Sequence, residues 1–448
     1  MRRVYVENLG CSKNQVDAEV MIAQLSRDFT LTEDAGEADL ILVNTCGFIE
    51  SAREESVSAF FSLYEANPTA KIILSGCMAE RYRDELASEL TEASAIFGNR
   101  DLSKIGEVVN RVFDGQRVIA TPSYADANGD VYERNELFNY PGSAYLKISE
   151  GCNHRCSYCA IPLIRGNLRS RPMDQILAEA STLVESGIKE LNLIAQDLAA
   201  YGTDWQGEGS RFMTLLAALV ALPGDFSIRL LYIHPDAFPS ELPAFIKENP
   251  KVLPYFDIPF QHADTTLLRS MGRMGTKESH LALIKAIRSE IPNAVLRSTI
   301  LLGYPGEDEE AYSTVIDFLK QAELDWVGSF VYSREEGTRA YDLRGEIAHA
   351  EAASEAKRRQ KALEEVQRPI TEGRLSRFVG SEMDILIEEI IEGEDLAIGR
   401  SWAQAPEVDG LVVVMGRALT AGSVVRCGIT RVNGVDLEAI TIEGGAHG

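Results

Sequence analysis

Nothing in this 448-residue chain approaches the roughly 18 consecutive apolar residues that a membrane-spanning helix needs. The opening residues, MRRVYVENLGC, hold no apolar run of signal-peptide length. We therefore expect a cytoplasmic protein with no membrane partner. Positive charge is also scarce. Forty-four Lys and Arg face 68 Asp and Glu, giving a formal net charge of −24 and a pI of about 4.8. Bare nucleic acid would repel such a chain unless its basic residues cluster, whereas a basic protein partner would suit it. Internal repeats and low-complexity blocks are missing. Cysteine is sparse and odd in number, at seven. In a reducing compartment, sets of cysteines tend to bind metal or act in catalysis rather than form disulfides.

What remains is ordinary in bulk. A hydrophobic fraction of 45% and a charged fraction of 25% allow a sizeable core, and the length suits about three domains. The distinctive stretch is residues 144–172, AYLKISEGCNHRCSYCAIPLIRGNLRSRP. An alternating strand runs into Gly151 and then Cys152, Cys156 and Cys159, spaced CxxxCxxC. Thiolates ligate soft metals and iron–sulfur clusters. Three of them on a four-iron cube would leave one iron open, as catalytic metal sites do. Zinc with His154 as fourth ligand is the competing arrangement, although zinc motifs more often pair CxxC units and no other occurs here. Three buried core cysteines is the plainest alternative.

Before that stretch, three β-rich runs each end at a cysteine: Val4–Leu9 at Cys11, Leu40–Val43 at Cys46, and Lys71–Leu74 at Cys77. Helical patterns follow at Val16–Leu25, Ile49–Leu63 and Glu80–Leu90. This βαβαβ rhythm predicts a parallel sheet covered by helices. In such sheets the carboxyl ends of the strands border the ligand crevice, so these cysteines can converge on one metal site. Buried core cysteines remain the alternative.

Residues 123–142 read as a linker. From Ala144 strands and helices alternate again, with strands expected at 144–149, 190–195, 226–232, 255–260, 295–302 and 325–332. Helices are expected at Met173–Ser186, Phe212–Leu222, Glu278–Glu290 and Glu309–Gln321. Six such units fit a partial (β/α) barrel working at its strand carboxyl ends. Polar residues lie at or near those ends: Gln196 and Asp197, Gln261 and His262, Arg297 and Ser298. Capping or loop polarity would explain each of them equally well. Arg165, Arg169 and Arg171 form a basic patch, either balancing a cluster's charge or binding a carboxylate, or else simply solvated. His234 reads as structural. Residues 349–368 form a charged connector helix that Pro369 ends or kinks. Short strands then follow at Met383–Ile387, Leu396–Ser401, Gly410–Val414, Ser423–Arg431 and Leu437–Glu443. They suggest a small β-barrel with Cys427 in its core and a frayed tail after Glu443.

GCNHRCSYCAIPLIRG with RSRP behind it resembles the cluster loop of the radical S-adenosylmethionine (SAM) methylthiotransferases. LGCSKNQVDAE, NTCGFIESA and SGCMAERY resemble their amino-terminal domain, and Ala405–Val408 before DGLVVV resembles their TRAM domain. IPFQHADTTLLRSMGRM, with His262 after Gln261, is most similar to the branch acting on ribosomal protein S12. The resemblance implies an α/β chain with a parallel-sheet domain at 1–122, a linker at 123–142, a partial (β/α)6 radical-SAM barrel at 143–372 and an OB-like TRAM barrel at 373–443. It implies two 4Fe-4S clusters, one on Cys11, Cys46 and Cys77 and one on Cys152, Cys156 and Cys159. SAM would then be contacted by Gln196, Asp197, Gln261, Arg297 and Ser298. The implied reaction places a methylthio group on the β-carbon of an aspartate in S12. One SAM gives the methyl group and another is cleaved to a 5′-deoxyadenosyl radical. An electron donor such as a flavodoxin or ferredoxin, and a sulfur donor, are further implied partners. A tRNA adenosine methylthiotransferase and a non-catalytic iron–sulfur carrier are the rival readings.

Overall fold

The computed structural model describes residues 1–124, 134, 136–206 and 209–442. Half of the linker expected over 123–142, and the tail expected after Glu443, lie outside the described residues.

The first sheet follows from apolar runs long enough to be covered on both faces. Its strands are β1 (Arg2–Asn8), β2 (Phe29–Leu31), β3 (Leu40–Thr45), β4 (Lys71–Gly76), β5 (Ala95–Phe97) and β6 (Val118–Ala120). All pair in parallel, in the order β2-β1-β3-β4-β5-β6. The helices are α1 (Ser12–Leu25), α2 (Glu50–Ala66), α3 (Cys77–Arg81), α4 (Arg83–Glu89) and α5 (Ile105–Phe113). α1 and α5 pack on one face with Val4, Leu42 and Phe97. α2 and α4 pack on the other with Ile41, Val43 and Leu74. Strand order reverses between β1 and β3, which opens a crevice at their carboxyl ends.

The second sheet contains β7 (Ser143–Lys147), β10 (Glu190–Ile194), β11 (Ser227–Leu230), β12 (Val252–Asp257), β13 (Val295–Leu302) and β14 (Trp326–Val331), again all parallel and in sequential order. A short antiparallel pair, β8 (Ser149–Glu150) and β9 (Arg169–Ser170), brackets the cysteine loop and the one-turn α6 (Ile161–Ile164). The outer helices are α7 (Met173–Glu185), α8 (Phe212–Val220), α9 (Leu242–Glu248), α10 (Thr265–Ser270), α11 (Lys277–Glu290) and α12 (Glu309–Ala322). The open sequential sheet is the expected partial barrel.

The connector, α13 (Glu346–Leu375), extends past both ends of the expected 349–368, and of the two fates expected at Pro369 it does not end there, because Pro369 lies inside it. The ring removes one backbone donor, but the residues flanking it are anchored. Gln367 donates to the Leu324 carbonyl at 2.8 Å and Thr371 to the Asp325 carbonyl at 2.8 Å. Five strands then close a barrel: β15 (Glu382–Ile391), β16 (Leu396–Arg400), β17 (Val412–Met415), β18 (Val424–Asn433) and β19 (Asp436–Thr441). Cys427 is in its core, as expected.

One apolar cluster unites three parts of the molecule. Val16 and Val20 of α1 pack with Tyr145, Ile194, Tyr255 and Trp326 of the second sheet and with Ala403 and Val412 of the carboxyl-terminal barrel. Polar contacts fix the same interface. Trp326 Nε1 donates to the Ala403 carbonyl at 2.8 Å, and Arg229 to that of Trp402 at 2.9 Å.

Candidate functional site

Cys11 and Cys46 flank the strand-order reversal of the first sheet, and Cys77 follows the next strand over. Their strands end level, with Asn8 opposite Asn44 and Thr45 opposite Gly76. Close backbone approach requires the neighbouring glycines. At Gly10, with φ +98°, a Cβ would sit 2.9 Å from Cys46 Cβ and 3.3 Å from its sulfur. At Gly47 a Cβ would sit 2.7 Å from the backbone of Met78. Asn14, fully buried in the first turn of α1, ties the three ends together. Its amide donates to the carbonyls of Leu9 and Thr45, and its oxygen accepts from the Cys77 thiol at 3.1 Å. Cys11 is exposed, Cys46 half-buried and Cys77 buried. Burial raises the Cys46 thiol and pushes Cys77 up to about 12.

The second set sits on the loop after β8. Gly151 has φ +74°, and a Cβ there would lie 2.2 Å from the Asn167 carbonyl oxygen, so only glycine lets the strands cross. The loop is pinned by Cys152 N–H to Gly166 O, Ser157 N–H to Met271 O and Cys159 N–H to Cys156 O. Burial raises Cys152 to about 11 and Cys159 to about 12. A metal would therefore have to displace protons to bind as thiolate complexes do. His154 is engaged by other partners. Its Nε2 meets Asp197 Oδ2 at 2.7 Å and its ring stacks on His234, with centroids 4.1 Å apart. Among the described residues no three His, Cys, Asp or Glu side chains gather around the volume of a single ion. An iron–sulfur cube holds its thiolates further apart, and two thiol-only sets fit its soft iron.

The two sets face each other. Cys77 packs with Phe48 against Ala160 and Ile164, directly after Cys159. Arg165, six residues after Cys159 in the chain, reaches the first set: its Nη2 lies 3.3 Å from Cys77 Sγ and donates to Asn14 at 2.6 Å, and its Nη1 donates to both oxygens of Glu150 at 2.9 Å. Asp17 and Lys147 complete this buried network. Burial alone would raise the Glu150 carboxyl, but Arg165 and then Lys147 outweigh it and hold it well below the carboxylate range. The expected basic patch thus divides: Arg165 and Arg171 are buried, while Arg169 lies half-buried over the Tyr124 ring.

The remaining polar residues lie as follows. Gln196 follows β10 and donates to Glu150 at 3.1 Å, leaving its buried oxygen without a partner. Asp197 accepts from the backbone of Ala199 and His234 as well as meeting His154. Gln261 adopts φ +71° and bridges Ile300 through its backbone. Arg297 and Ser298 fall in the first half of β13, not near its end, because that strand runs on to Leu302. Arg297 is level with Asp257, the last residue of β12, and pairs with it at 3.1 Å and with Asp409 of the barrel at 3.3 Å. Ser298 accepts from Phe260 N–H. His262 is fully buried, with its Nε2 3.5 Å from Glu307. His234 is held neutral by burial and by Arg273 beside it, down to about 3.

Three family descriptions match successive parts of the chain: Uncharacterized protein family UPF0004 over residues 3–98, the Radical SAM superfamily over 146–319, and the TRAM domain over 379–442. A "Ribosomal protein uS12 methylthiotransferase RimO" of Treponema denticola is 42% identical over 97% of this chain and 99% of that protein. Proteins of the same description from Moorella thermoacetica (41% identical, covering 96% of this chain and 97% of that protein) and Microcystis aeruginosa (42%, 97% and 98%) are equally similar. The chain belongs to the RimO family of methylthiotransferases. It is a radical-SAM transferase, an iron–sulfur and SAM enzyme. Its fold is shared with the radical S-adenosylmethionine methyltransferase TsrM of Kitasatospora setae, at TM-score 0.55 and 15% identity over 76% of this chain and 77% of that one.

For this RimO-family member, sequence reasoning from the cysteines overlooked Lys13, Asn14 and Asp17, although all three lie in the quoted GCSKNQVDAE. The available signal was a polar first helical turn directly after a strand-end cysteine. Glu150 was also missed, and no spacing rule marks it.

Proposed function

We propose that this chain methylthiolates the β-carbon of an aspartate in ribosomal protein S12, in the cytoplasm, using one SAM as methyl donor and one as radical source. The observation that carries the chemistry is the packing of Cys77 against Ala160. It supports the reading by bringing the loop that carries the second thiol set against the strand end that carries Cys77, with Arg165 of that loop on the Cys77 sulfur. We assign Cys11, Cys46 and Cys77 to one 4Fe-4S cluster and Cys152, Cys156 and Cys159 to another. Gln196, Asp197, Gln261, Arg297 and Ser298 are assigned to SAM, with the domain limits 1–122, 143–372 and 373–443. When bound, the clusters and SAM supply an electron, a carbon radical, sulfur and a methyl group. The protein's own part is to hold the two sets in register through Asn14 and Arg165. A flavodoxin- or ferredoxin-like electron donor and a separate sulfur donor would serve it.

The S12 substrate is supported by the similarity to proteins of that description and by charge. Each of the six arginines between residues 373 and 443 already meets a carboxylate: Arg374 and Arg377 meet Asp325, Arg400 meets Glu190 and Glu388, Arg417 meets Asp395, Arg426 meets Glu382 and Asp384, and Arg431 meets Glu438. That leaves the barrel no free arginine row for RNA phosphates. The test offers anaerobically reconstituted protein both S12 and tRNA, with SAM, reductant and sulfide. Mass spectrometry should find a methylthio adduct on S12. An adduct on tRNA alone refutes the substrate reading. Iron should be about eight per chain, and about four after Cys152, Cys156 and Cys159 are all replaced by alanine.

A further inference from the structure

Lys13 is a buried cation that no carboxylate meets among the described residues. It is 7% exposed, and its ammonium lies 3.1 Å from the centre of the Tyr232 ring, in the other sheet's domain. The acidic groups around it are committed elsewhere. Asp257 holds Arg297 and the Tyr232 N–H. Glu150 holds Arg165 and Lys147, and Asp17 holds the same two cations. A ring face offsets only part of the cost of burying an ammonium. Tyr232 is itself held at φ +70°, a conformation that presents its ring to α1 and is uncommon for an aromatic residue. The exposed Cys11 lies two residues before Lys13, and Asn14, the next residue, binds the Cys77 thiol. The ammonium therefore sits deep between the first cysteine set and the strand ends of the second sheet, two residues from the exposed Cys11.

We propose that Lys13 is the specificity-determining residue that receives the carboxylate of the target aspartate. This rests on the S12 reading above and adds to it the group that recognises the side chain. An aspartate carboxylate is one bond from the β-carbon. A charge-assisted hydrogen bond from Lys13 would fix that carbon's position as well as select the acid over the amide. The amide analogue would leave the ammonium buried without an anion, a loss of about 10- to 100-fold for a hydrogen bond to a charged group. The competing role is balancing the negative charge of a cluster on Cys11, Cys46 and Cys77. That role predicts changes in the cluster and none in substrate choice.

The experiment uses the full-length reconstituted protein with S12 in two forms, one with the target aspartate and one with asparagine in its place. We expect wild type to favour the aspartate form by about 10- to 100-fold in kcat/KM. Lys13→Met should bring the two forms to within a few-fold of each other, while Lys13→Arg should keep most of the preference. If Lys13→Met fails to hold its iron, Lys13→Gln, which keeps a stem and an amide head, carries the same comparison. Equal use of both forms by wild type overturns the inference. So does a Lys13 variant that loses turnover on both forms alike with the ratio preserved, or that shifts only cluster potential or the KM for SAM. A wild type that modifies neither form of S12 overturns the substrate reading itself, and this inference with it.

Discussion

Arg165 serves four buried partners with one fork: Glu150, Asp17, Asn14 and the Cys77 sulfur. Methionine in its place would leave the buried Glu150 and Asp17 sharing Lys147 as their one cation, and removing one member of a buried ion network typically costs about 3–5 kcal/mol. We therefore expect Arg165→Met to lower the urea midpoint of unfolding markedly. Arg165→Lys should recover only part of the loss, because a single ammonium cannot reproduce the paired geometry. An Arg165→Met protein with an unshifted midpoint would show that the network is energetically idle. The sequence presented Arg165, Arg169 and Arg171 as one patch, and in the structure they have different surroundings. Nothing local separates them, since the acids that bury Arg165 and Arg171 come from residues 17, 150 and 179. The cysteines were legible because a strand end is a local event. Their buried electrostatic partners were not, because these are assembled by the fold.

At the scale of elements, the long parallel strands were visible in their apolar runs. β2, β5 and β6, of three residues each, carry too little pattern to mark. α1 starts at Ser12, ahead of the expected Val16, because its polar first turn is buried against partners outside the helix. The single helix expected over Glu80–Leu90 is instead α3 and α4, which meet at Tyr82. The break has a use: it frees Arg81 to donate to the Gly47 carbonyl beside Cys46 and to Glu335 at 2.7 Å, where Arg53 also arrives. Glu335 is 2% exposed and follows β14, so it fastens the first domain to the second. Glu335→Gln should leave two arginines without their anion and loosen α3. Hydrogen exchange should then quicken at the amides of Cys77–Arg81 while the centre of β12 stays protected. Unchanged exchange at α3 would mean that apolar packing alone holds that helix.

Over the whole molecule, electrostatics first join the parts and then face outward. Glu190 of β10 is gripped by Arg229 and by Arg400 of the barrel, at 2.9 and 3.0 Å. Burial would raise its carboxyl, but the two arginines outweigh it and bring it down to about 2. A depressed acid stabilises the fold fully above its ordinary value near 4.5 and loses that contribution as pH falls through about 2. The stability difference between wild type and Glu190→Gln, compared by urea midpoints, should therefore shrink between those limits, by about 3 kcal/mol in all. A difference independent of pH would place the Glu190 contribution in packing. The carboxyl-terminal segment carries an acidic excess: twelve acids oppose six arginines between residues 373 and 443, with no lysine. All six arginines are paired, while Glu389, Glu392 and Glu394 remain exposed without a cation among the described residues. An excess of this sign speeds encounter with a basic protein and repels a polyanion, and salt removes both effects within a few Debye lengths. Replacing those three glutamates by lysine should slow association with S12 several-fold at low salt, and the variant and wild type should converge as salt rises. The same change should strengthen binding to tRNA. Unaltered S12 association together with tight wild-type binding to tRNA would assign the barrel to RNA, and the pairing of its arginines would then have to open in the complex.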